Sequence, residues 1–471
     1  MMNYNRIDPD TAAALKAAAG AGNYIDGADI GADMSHDERA LYGTAAPEAV
    51  IYAESTEQVA EVLKVCAAKH IPVTIRGAGT GLTGGAVAAE GGVVLCTARM
   101  NRIIGYNETD MTVTVEPGVT LSDLNRDAAA HGLRYAPDPG EKTASIGGNA
   151  ATNAGGPSAG KYGSTADNVI NIKAVLADGE ICEFGCGVRK CNDGYNLMQL
   201  MLGSEGTLGV VTELTLRLRP AVKASMGFIF PFDSMESCIS AAAKLRASGL
   251  EPEIMEFMDR GIVRFSSEVS GNEVFPLTAG GEDVGAVLYA DFAGENDDQL
   301  GILMETIGEL SEELMPLDVL VVDDPTTRRN VEEAHEALHS CVESACRLFD
   351  ESNAAVPMSA MCEYIESVKA YAAEEGLDIQ LFGHAGDGNV HVYVYNKELD
   401  EAAFREKAGR FMDKNYAKCR ELHGAVTAEH GIGSGKKKYL AQSAGGTQLR
   451  LMRGIKAVFD PEMILNPGKI F

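Results

Sequence analysis

Arg76-Gly-Ala-Gly-Thr-Gly-Leu-Thr-Gly-Gly85 follows the apolar run Ile71-Pro-Val-Thr-Ile75, so a buried strand is expected to feed a loop with glycine at half its positions. Glycine accepts positive φ, and successive N–H groups of such a loop converge on one concavity, which holds a pyrophosphate without a cluster of lysines. Read alone, the stretch fits an ordinary surface connection as well, because it matches neither the Walker pattern nor the dinucleotide fingerprint. A second stretch separates the two readings.

Pro137-Asp-Pro-Gly-Glu-Lys-Thr-Ala-Ser-Ile-Gly-Gly-Asn-Ala-Ala-Thr-Asn-Ala-Gly-Gly156 places Asn149, Thr152 and Asn153 among residues small enough for another body to approach the backbone. Those side chains supply donors and acceptors for a ring edge, while Gly147 and Gly148 leave N–H groups open to phosphate oxygens. A third stretch, Gly203-Ser-Glu-Gly-Thr-Leu-Gly-Val-Val-Thr212, runs from a turn into a strand. In this order the three resemble the FAD-binding domain of the vanillyl-alcohol-oxidase type. The resemblance implies that FAD is held by Arg76, Gly77, Ala78, Gly79, Thr80 and Gly81 of the first stretch. From the second it implies Pro139, Gly140, Thr143, Gly147, Gly148, Asn149, Thr152, Asn153, Ala154 and Gly155, with Gly163 just beyond. Glu205, Gly206 and Val211 of the third complete the set. The first loop carries Thr80 and no histidine or cysteine, so the flavin is expected to be bound noncovalently.

The chain has 471 residues, 45% of them hydrophobic, enough to bury a sizeable core and to divide into two or more domains. No stretch of 18 uncharged apolar residues occurs, and Met1-Met-Asn-Tyr-Asn-Arg6 lacks the apolar core of a signal peptide, so a cytoplasmic protein without membrane insertion is expected. A net charge of −28 argues against nucleic acid and anionic membrane as partners. Ten cysteines are scattered without a Cys-x-x-Cys pair; the grouping Cys182, Cys186 and Cys191 is irregular and reads as packing or loop residues.

In chain order, Ser55-Thr-Glu-Gln58 is a capping-box pattern opening an amphipathic helix to about Lys69. Strands are expected over 93–97, 111–116, 171–178 and 209–218, with a helix over 121–131. After Pro220 the texture changes to short strands alternating with helices, with strands over 226–230, 286–290 and 319–322 and helices over 235–247, 299–314, 331–347, 359–375 and 401–422. The expected class is α+β, a two-domain FAD-binding fold with an antiparallel-sheet cap domain. The boundaries are 1–220 for the N-terminal and FAD-binding domain, 221–425 for the substrate or cap domain, and 426–471 for a segment returning to the FAD domain. In that last segment Leu465-Asn-Pro-Gly-Lys469 resembles the family's closing motif, which adds Asn466 to the cofactor residues.

The second constellation is Phe382-Gly-His-Ala-Gly-Asp-Gly-Asn-Val-His-Val-Tyr-Val-Tyr395. A strand over 377–383, a turn at Asp387-Gly388 and a strand over 390–395 bring His384 and His391 to facing strand ends, with His391, Tyr393 and Tyr395 on one face. Two imidazoles with a carboxylate are a common divalent site, and Glu429 in Thr427-Ala-Glu-His-Gly-Ile-Gly433 is the candidate third ligand. An isolated His-x6-His also fits a hairpin with two surface histidines. Followed by Glu-His-Gly-Ile-Gly, it resembles the FAD-dependent 2-hydroxy acid dehydrogenases, which act on D-lactate, glycolate or D-2-hydroxyglutarate. The resemblance implies that His384, His391 and Glu429 bind a divalent metal (zinc, iron or manganese) and that His430 is the base. Such a cation lowers the pKa of the substrate hydroxyl, and a histidine suits its proton near neutral pH.

One departure bears on specificity. Members of the family commonly carry an arginine twenty-two residues before a proline that here is Pro357, to grip the substrate carboxylate, and that position is His335. Another often follows the proline, where this chain has Met358. His335 and Tyr393 are thus the candidate substrate contacts, with Arg328, Arg329 or Lys161 as compensating cations. The expected function is oxidation of a small 2-hydroxy acid, D-lactate-like, to the 2-oxo acid by metal-assisted hydride transfer to flavin N5. Electrons are expected to pass to an electron-transferring flavoprotein, or to an iron–sulfur subunit. The alternatives are the same chemistry on glycolate or 2-hydroxyglutarate, or an FAD electron-transfer subunit with a vestigial substrate site.

Overall fold

The first long helix begins where the capping pattern places it: the Ser55 hydroxyl accepts a hydrogen bond from Gln58 N at 3.2 Å, and the helix Thr56–Lys69 ends at His70 in the left-handed conformation. In the computed structural model, which describes residues 3–20, 22–188 and 190–471, this helix is the crossover of a parallel β-α-β unit. It feeds Val73–Arg76, which pairs parallel with Val93–Cys96; Ala49–Tyr52 pairs parallel on the other side, and Tyr24–Asp26 closes the sheet antiparallel. Val59, Leu63 and Cys66 of the helix bury against Val73, Val93 and Leu95. A second, antiparallel sheet has the order Ile103–Asn107, Thr112–Val115, Val210–Arg217, Val169–Val175 and Ile181–Gly185. Val210–Arg217 alternates buried and half-buried residues as a strand with one covered face must.

Contacts divide the chain into two units, residues 1–156, 162–221 and 429–471 in the first, and 157–161 and 222–428 in the second. The second unit is built on a seven-stranded, wholly antiparallel sheet. Its order is Leu320–Val322, Ala224–Phe232, Ala286–Gly294, Ile254–Asp259, Asp378–His384, Asn389–Tyr395 and Phe349–Ala355. The helix Pro325–Ala345 packs on one face through Val331, Ala334, Leu338, Cys341 and Val342.

The helices Met235–Ala247, Asp297–Leu314, Met361–Glu375 and Glu401–Glu421 lie where the sequence pattern places them. In the seven-stranded sheet two strands do not follow from the pattern. Ile254–Asp259 is buried on both faces, so its apolar residues show no alternation, and Phe349-Asp-Glu-Ser-Asn-Ala-Ala355 is polar enough to read as a loop. Both carry residues of the candidate site. Among the described residues no helix is long and apolar enough to cross a membrane.

Candidate active site

In the first unit, the strand ending at Arg76 releases the glycine loop into the wall of a cavity enclosing about 1350 Å³ of empty space, its open mouth included. Gly77 faces Ser145, whose hydroxyl accepts from Ala78 N at 3.3 Å and from Gly148 N at 3.2 Å. A Cβ on Gly77 would stand 2.2 Å from that hydroxyl, and one on Gly147 would stand 2.4 Å from Pro117, so both positions need glycine for close approach. The short helix Ile146–Thr152 is capped by Ser145 and points its N-terminal backbone at this region.

Of the residues the motifs nominate for the cofactor, Gly77, Ala78, Gly79, Thr80, Gly81, Pro139, Gly147, Gly148, Asn149, Thr152, Ala154, Gly155, Glu205, Gly206, Val211 and Asn466 line the cavity. Arg76, Gly140, Thr143, Asn153 and Gly163 do not, and each has a local task. The Arg76 guanidinium donates to His36 O at 2.7 Å, and the Thr143 hydroxyl donates to Glu141 Oε1 at 2.5 Å. Asn153 ends its helix in the left-handed conformation and accepts from Ser164 Oγ and Ala166 N, both at 2.8 Å. Gly140 and Gly163 turn the chain at φ +81° and +75°. Ser145 and Ser204, which the motif reading passes over, also line the cavity. Among the described residues two buried polar atoms on its wall, Asn149 Nδ2 and Ser204 Oγ, have no hydrogen-bond partner. Such groups are satisfied by a polar ligand.

Glu429 and His430 line the same cavity, at the head of a loop fixed from several sides. Thr83 Oγ1 donates to His430 O at 3.1 Å, and Glu205 accepts from Ile432 N and Gly433 N, both at 2.7 Å. Gly431 and Gly433 take φ +77° and +50°.

The second unit carries its own polar band across an otherwise apolar sheet face. Register puts Glu256 opposite His384, and Phe382 opposite His391, which in turn pairs with Asn353. Residues directly opposite, and those two apart along a strand, share a face, so Glu256, His384, His391, Asn353 and Glu351 lie on the one face covered by the helix Pro325–Ala345. All five are at least 96% buried. The rings of His384 and His391 stand 5.3 Å apart between centroids. His384 Nδ1 lies 2.6 Å from Glu256 Oε1, and His391 Nδ1 lies 3.0 Å from Glu351 Oε1. A carboxylate on Nδ1 keeps the proton there and leaves the lone pair on Nε2, the arrangement found where imidazole ligates a metal. Burial alone would raise the Glu256 carboxyl, but the ion pairs and hydrogen bonds to His384 and His335 outweigh it and hold it well below the usual carboxylate range. Asn353 Oδ1 accepts from Ala428 N at 3.1 Å, which fixes the backbone immediately before Glu429.

The two candidate substrate contacts are placed differently from expectation. His335 Nε2 is 3.2 Å from Glu256 Oε2, so this imidazole is committed to a carboxylate of the chain itself. Tyr393 is 1% exposed and its ring lies near those of Phe349 and Phe382, inside the apolar cluster of the second unit. His339, on the same helix as His335, is half-buried with its ring edge-on to Phe382 and His391, and desolvation followed by the neighbouring His391 pushes its pKa well below 6.5. Glu256, Glu351 and Asn353 are the site residues that motif reading misses. The available signal was a lone glutamate inside Ile254-Met-Glu-Phe-Met258, where a charge among large apolar residues needs a buried partner.

The pattern of the FAD binding domain matches residues 47–185, and that of the FAD linked oxidases, C-terminal domain, matches residues 220–470. The chain belongs to the FAD-linked oxidases. It is 44% identical over 467 residues to a D-lactate dehydrogenase of Anaerostipes hadrus, covering 99% of this chain and 98% of that protein. It is 32% identical to the glycolate oxidase subunit GlcD of Bacillus subtilis, covering 90% of this chain and 89% of that protein. p-Cresol methylhydroxylase with substrate bound has the same fold, with a TM-score of 0.81 at 18% identity over 98% of this chain and 96% of that one. For an FAD-linked oxidase, the glycine loop and the partnerless Asn149 and Ser204 atoms on the cavity wall fit the flavin dinucleotide.

Proposed function

We propose that this FAD-dependent oxidoreductase oxidises a small 2-hydroxy acid of the D-lactate type to the 2-oxo acid and passes the electrons to a protein acceptor. The observation that carries the reading is the pair His384 and His391, each with Nδ1 held by its own buried glutamate. Two imidazoles oriented in this way inside a sheet suit a divalent cation better than they suit packing. Following the family resemblance, Glu429 is the third ligand and His430 the base, with zinc, iron or manganese as the ion. When bound, FAD supplies the hydride acceptor and the cation a Lewis acid for the substrate hydroxyl and carboxylate. The chain's own part is to accept the hydroxyl proton on the His430 imidazole and to hold the flavin noncovalently, since Thr80 stands in the loop. An electron-transferring flavoprotein is the proposed acceptor, with an iron–sulfur subunit as the alternative.

The test is metal analysis of the purified protein together with anaerobic bleaching of its flavin by D-lactate, L-lactate, glycolate and 2-hydroxyglutarate. Bleaching by D-lactate is expected, and a flavin that none of the four acids bleaches overturns the reading. Acid precipitation should release the yellow chromophore into the supernatant; colour retained in the pellet would show a covalent link.

A further inference from the structure

We propose that Glu205 is a positioning residue for His430 rather than a cofactor ligand, clamping the loop that carries the base onto the cofactor cradle; this rests on the reading of His430 as that base. The motif Gly203-Ser-Glu-Gly-Thr-Leu-Gly209 belongs to the cofactor set by resemblance, yet each Glu205 carboxylate oxygen is taken by a short backbone bond, Oε1 from Ile432 N and Oε2 from Gly433 N, both at 2.7 Å. A bidentate carboxylate across two consecutive amides fixes the plane of that backbone, and His430 lies two residues before the first of them. Gly431 sits between, and a Cβ there would stand 2.9 Å from Glu205 Oε1, so the glycine leaves room for the clamp.

The clamp is itself anchored on the cradle. Glu205 takes φ +52°, a strained conformation for a residue with a side chain, and its backbone shows what holds it there. Its N–H donates to Ala151 O at 2.7 Å, and its carbonyl accepts from Asn466 Nδ2 at 2.5 Å. Asn466 Oδ1 in turn accepts from Ile75 N at 2.9 Å, in the strand that feeds the glycine loop. The helix of the second motif, the strand of the first and the closing motif therefore meet at Glu205. Burial opposes a charge there, and besides the two amides Lys469 and Lys436 supply the compensating positive field. The second hold on the loop, Thr83, works through its hydroxyl on His430 O and its carbonyl on Ser434 N and Gly435 N.

Glu205→Gln is close to isosteric but replaces one acceptor oxygen by an NH2 that faces a backbone donor. In the FAD-loaded enzyme, kcat for the hydroxy acid is expected to fall by roughly tenfold or more, because a small misplacement of a catalytic group is costly. KM and FAD occupancy should stay within about twofold, and hydrogen exchange at the Ile432 and Gly433 amides should accelerate by roughly tenfold or more. Glu205→Asp, which keeps the charge on a shorter arm, should fall between the two. The proposal is overturned if Glu205→Gln loses FAD while turnover per bound flavin is unchanged, if exchange accelerates without a fall in kcat, or if exchange at the two amides does not change. Should the wild-type protein oxidise none of the acids, the functional reading fails by itself, and the exchange measurement still decides whether Glu205 holds the loop.

Discussion

Glu256 spends both of its oxygens on imidazoles, Oε1 on His384 Nδ1 at 2.6 Å and Oε2 on His335 Nε2 at 3.2 Å, so a residue two steps from any substrate sets the orientation of a candidate metal ligand. Glu256→Gln keeps the volume but leaves one imidazole facing an NH2 and removes the charge. Affinity for the divalent cation should fall roughly 10- to 100-fold, as for other outer carboxylates of metal-bound histidine. Competition against a chelating dye measures it, with FAD content as the control; unaltered affinity would detach Glu256 from the metal. A carboxyl of a different kind lies beside the glycine loop. Asp37 is 1% exposed; its Oδ2 accepts from Gly84 N at 2.5 Å, while among the described residues Oδ1 has no partner. Burial, only partly offset by that amide and by Arg76, raises its pKa from 3.8 to about 6. The folded state therefore binds the proton more tightly than the unfolded chain, and the stability this confers is present below about pH 4 and lost as pH rises through about 6. Two pKa units correspond to about 3 kcal/mol. Asp37→Asn has no such loss, so urea midpoints for flavin release should favour the variant progressively between about pH 4 and 7; parallel curves for the two proteins would refute the assignment.

At the level of elements, the sequence is most readable where chemistry is local. The Ser55 cap and the turn at Asp387-Gly388 act through neighbours a few residues away, and each is found where its motif lies. Elements whose polar residues are satisfied from afar were not readable in this way. Glu351 and Asn353 make Phe349–Ala355 look like a loop because their partners, His391 and Ala428, are 40 and 75 residues distant. The family pattern has arginine at position 335, and the histidine there is hydrogen-bonded to Glu256 of the strand Ile254–Asp259, a partner 79 residues distant. The C-terminal helix Gly445–Phe459 follows the same logic. Lys456 is 5% exposed, pairs with the fully buried Asp460, and donates to Thr207 O at 2.7 Å and Leu465 O at 2.9 Å, so one ammonium joins the third glycine motif to the closing motif. Asp460 also accepts from Ile464 N at 3.1 Å and Leu465 N at 2.8 Å. Lys456→Met leaves that carboxylate without its counter-charge, which costs about 3–5 kcal/mol in a buried pair. The variant should release flavin at a clearly lower temperature than the wild type, and an unchanged release temperature would show that the pair holds nothing together.

Across the whole molecule, the residues that line the glycine-loop cavity all belong to one unit, Glu429 and His430 among them, and His384 and His391 belong to the other. A flavin reduced at each turnover must be reoxidised, and all ten cysteines are free thiols in scattered positions. On the proposed reading, the external acceptor approaches a protein of net charge −28. That charge makes a specific kinetic forecast. Ferricyanide is a trianion and is repelled at long range, so its rate of reduction should rise as added salt shortens the screening length from about 30 Å at 0.01 M to about 8 Å at 0.15 M. An uncharged dye should show little dependence on salt. A protein acceptor with a basic rim should show the opposite trend, fastest at low salt, because complementary charge raises the encounter rate. Air alone should support only slow turnover. The measurement is steady-state oxidation of D-lactate with ferricyanide, an uncharged dye, an added electron-transferring flavoprotein and air, each at low and high salt. Rapid turnover in air would make the protein an oxidase and remove the need for a partner, whereas a ferricyanide rate that falls with salt would mean that a local basic surface, not the net charge, governs access to the flavin.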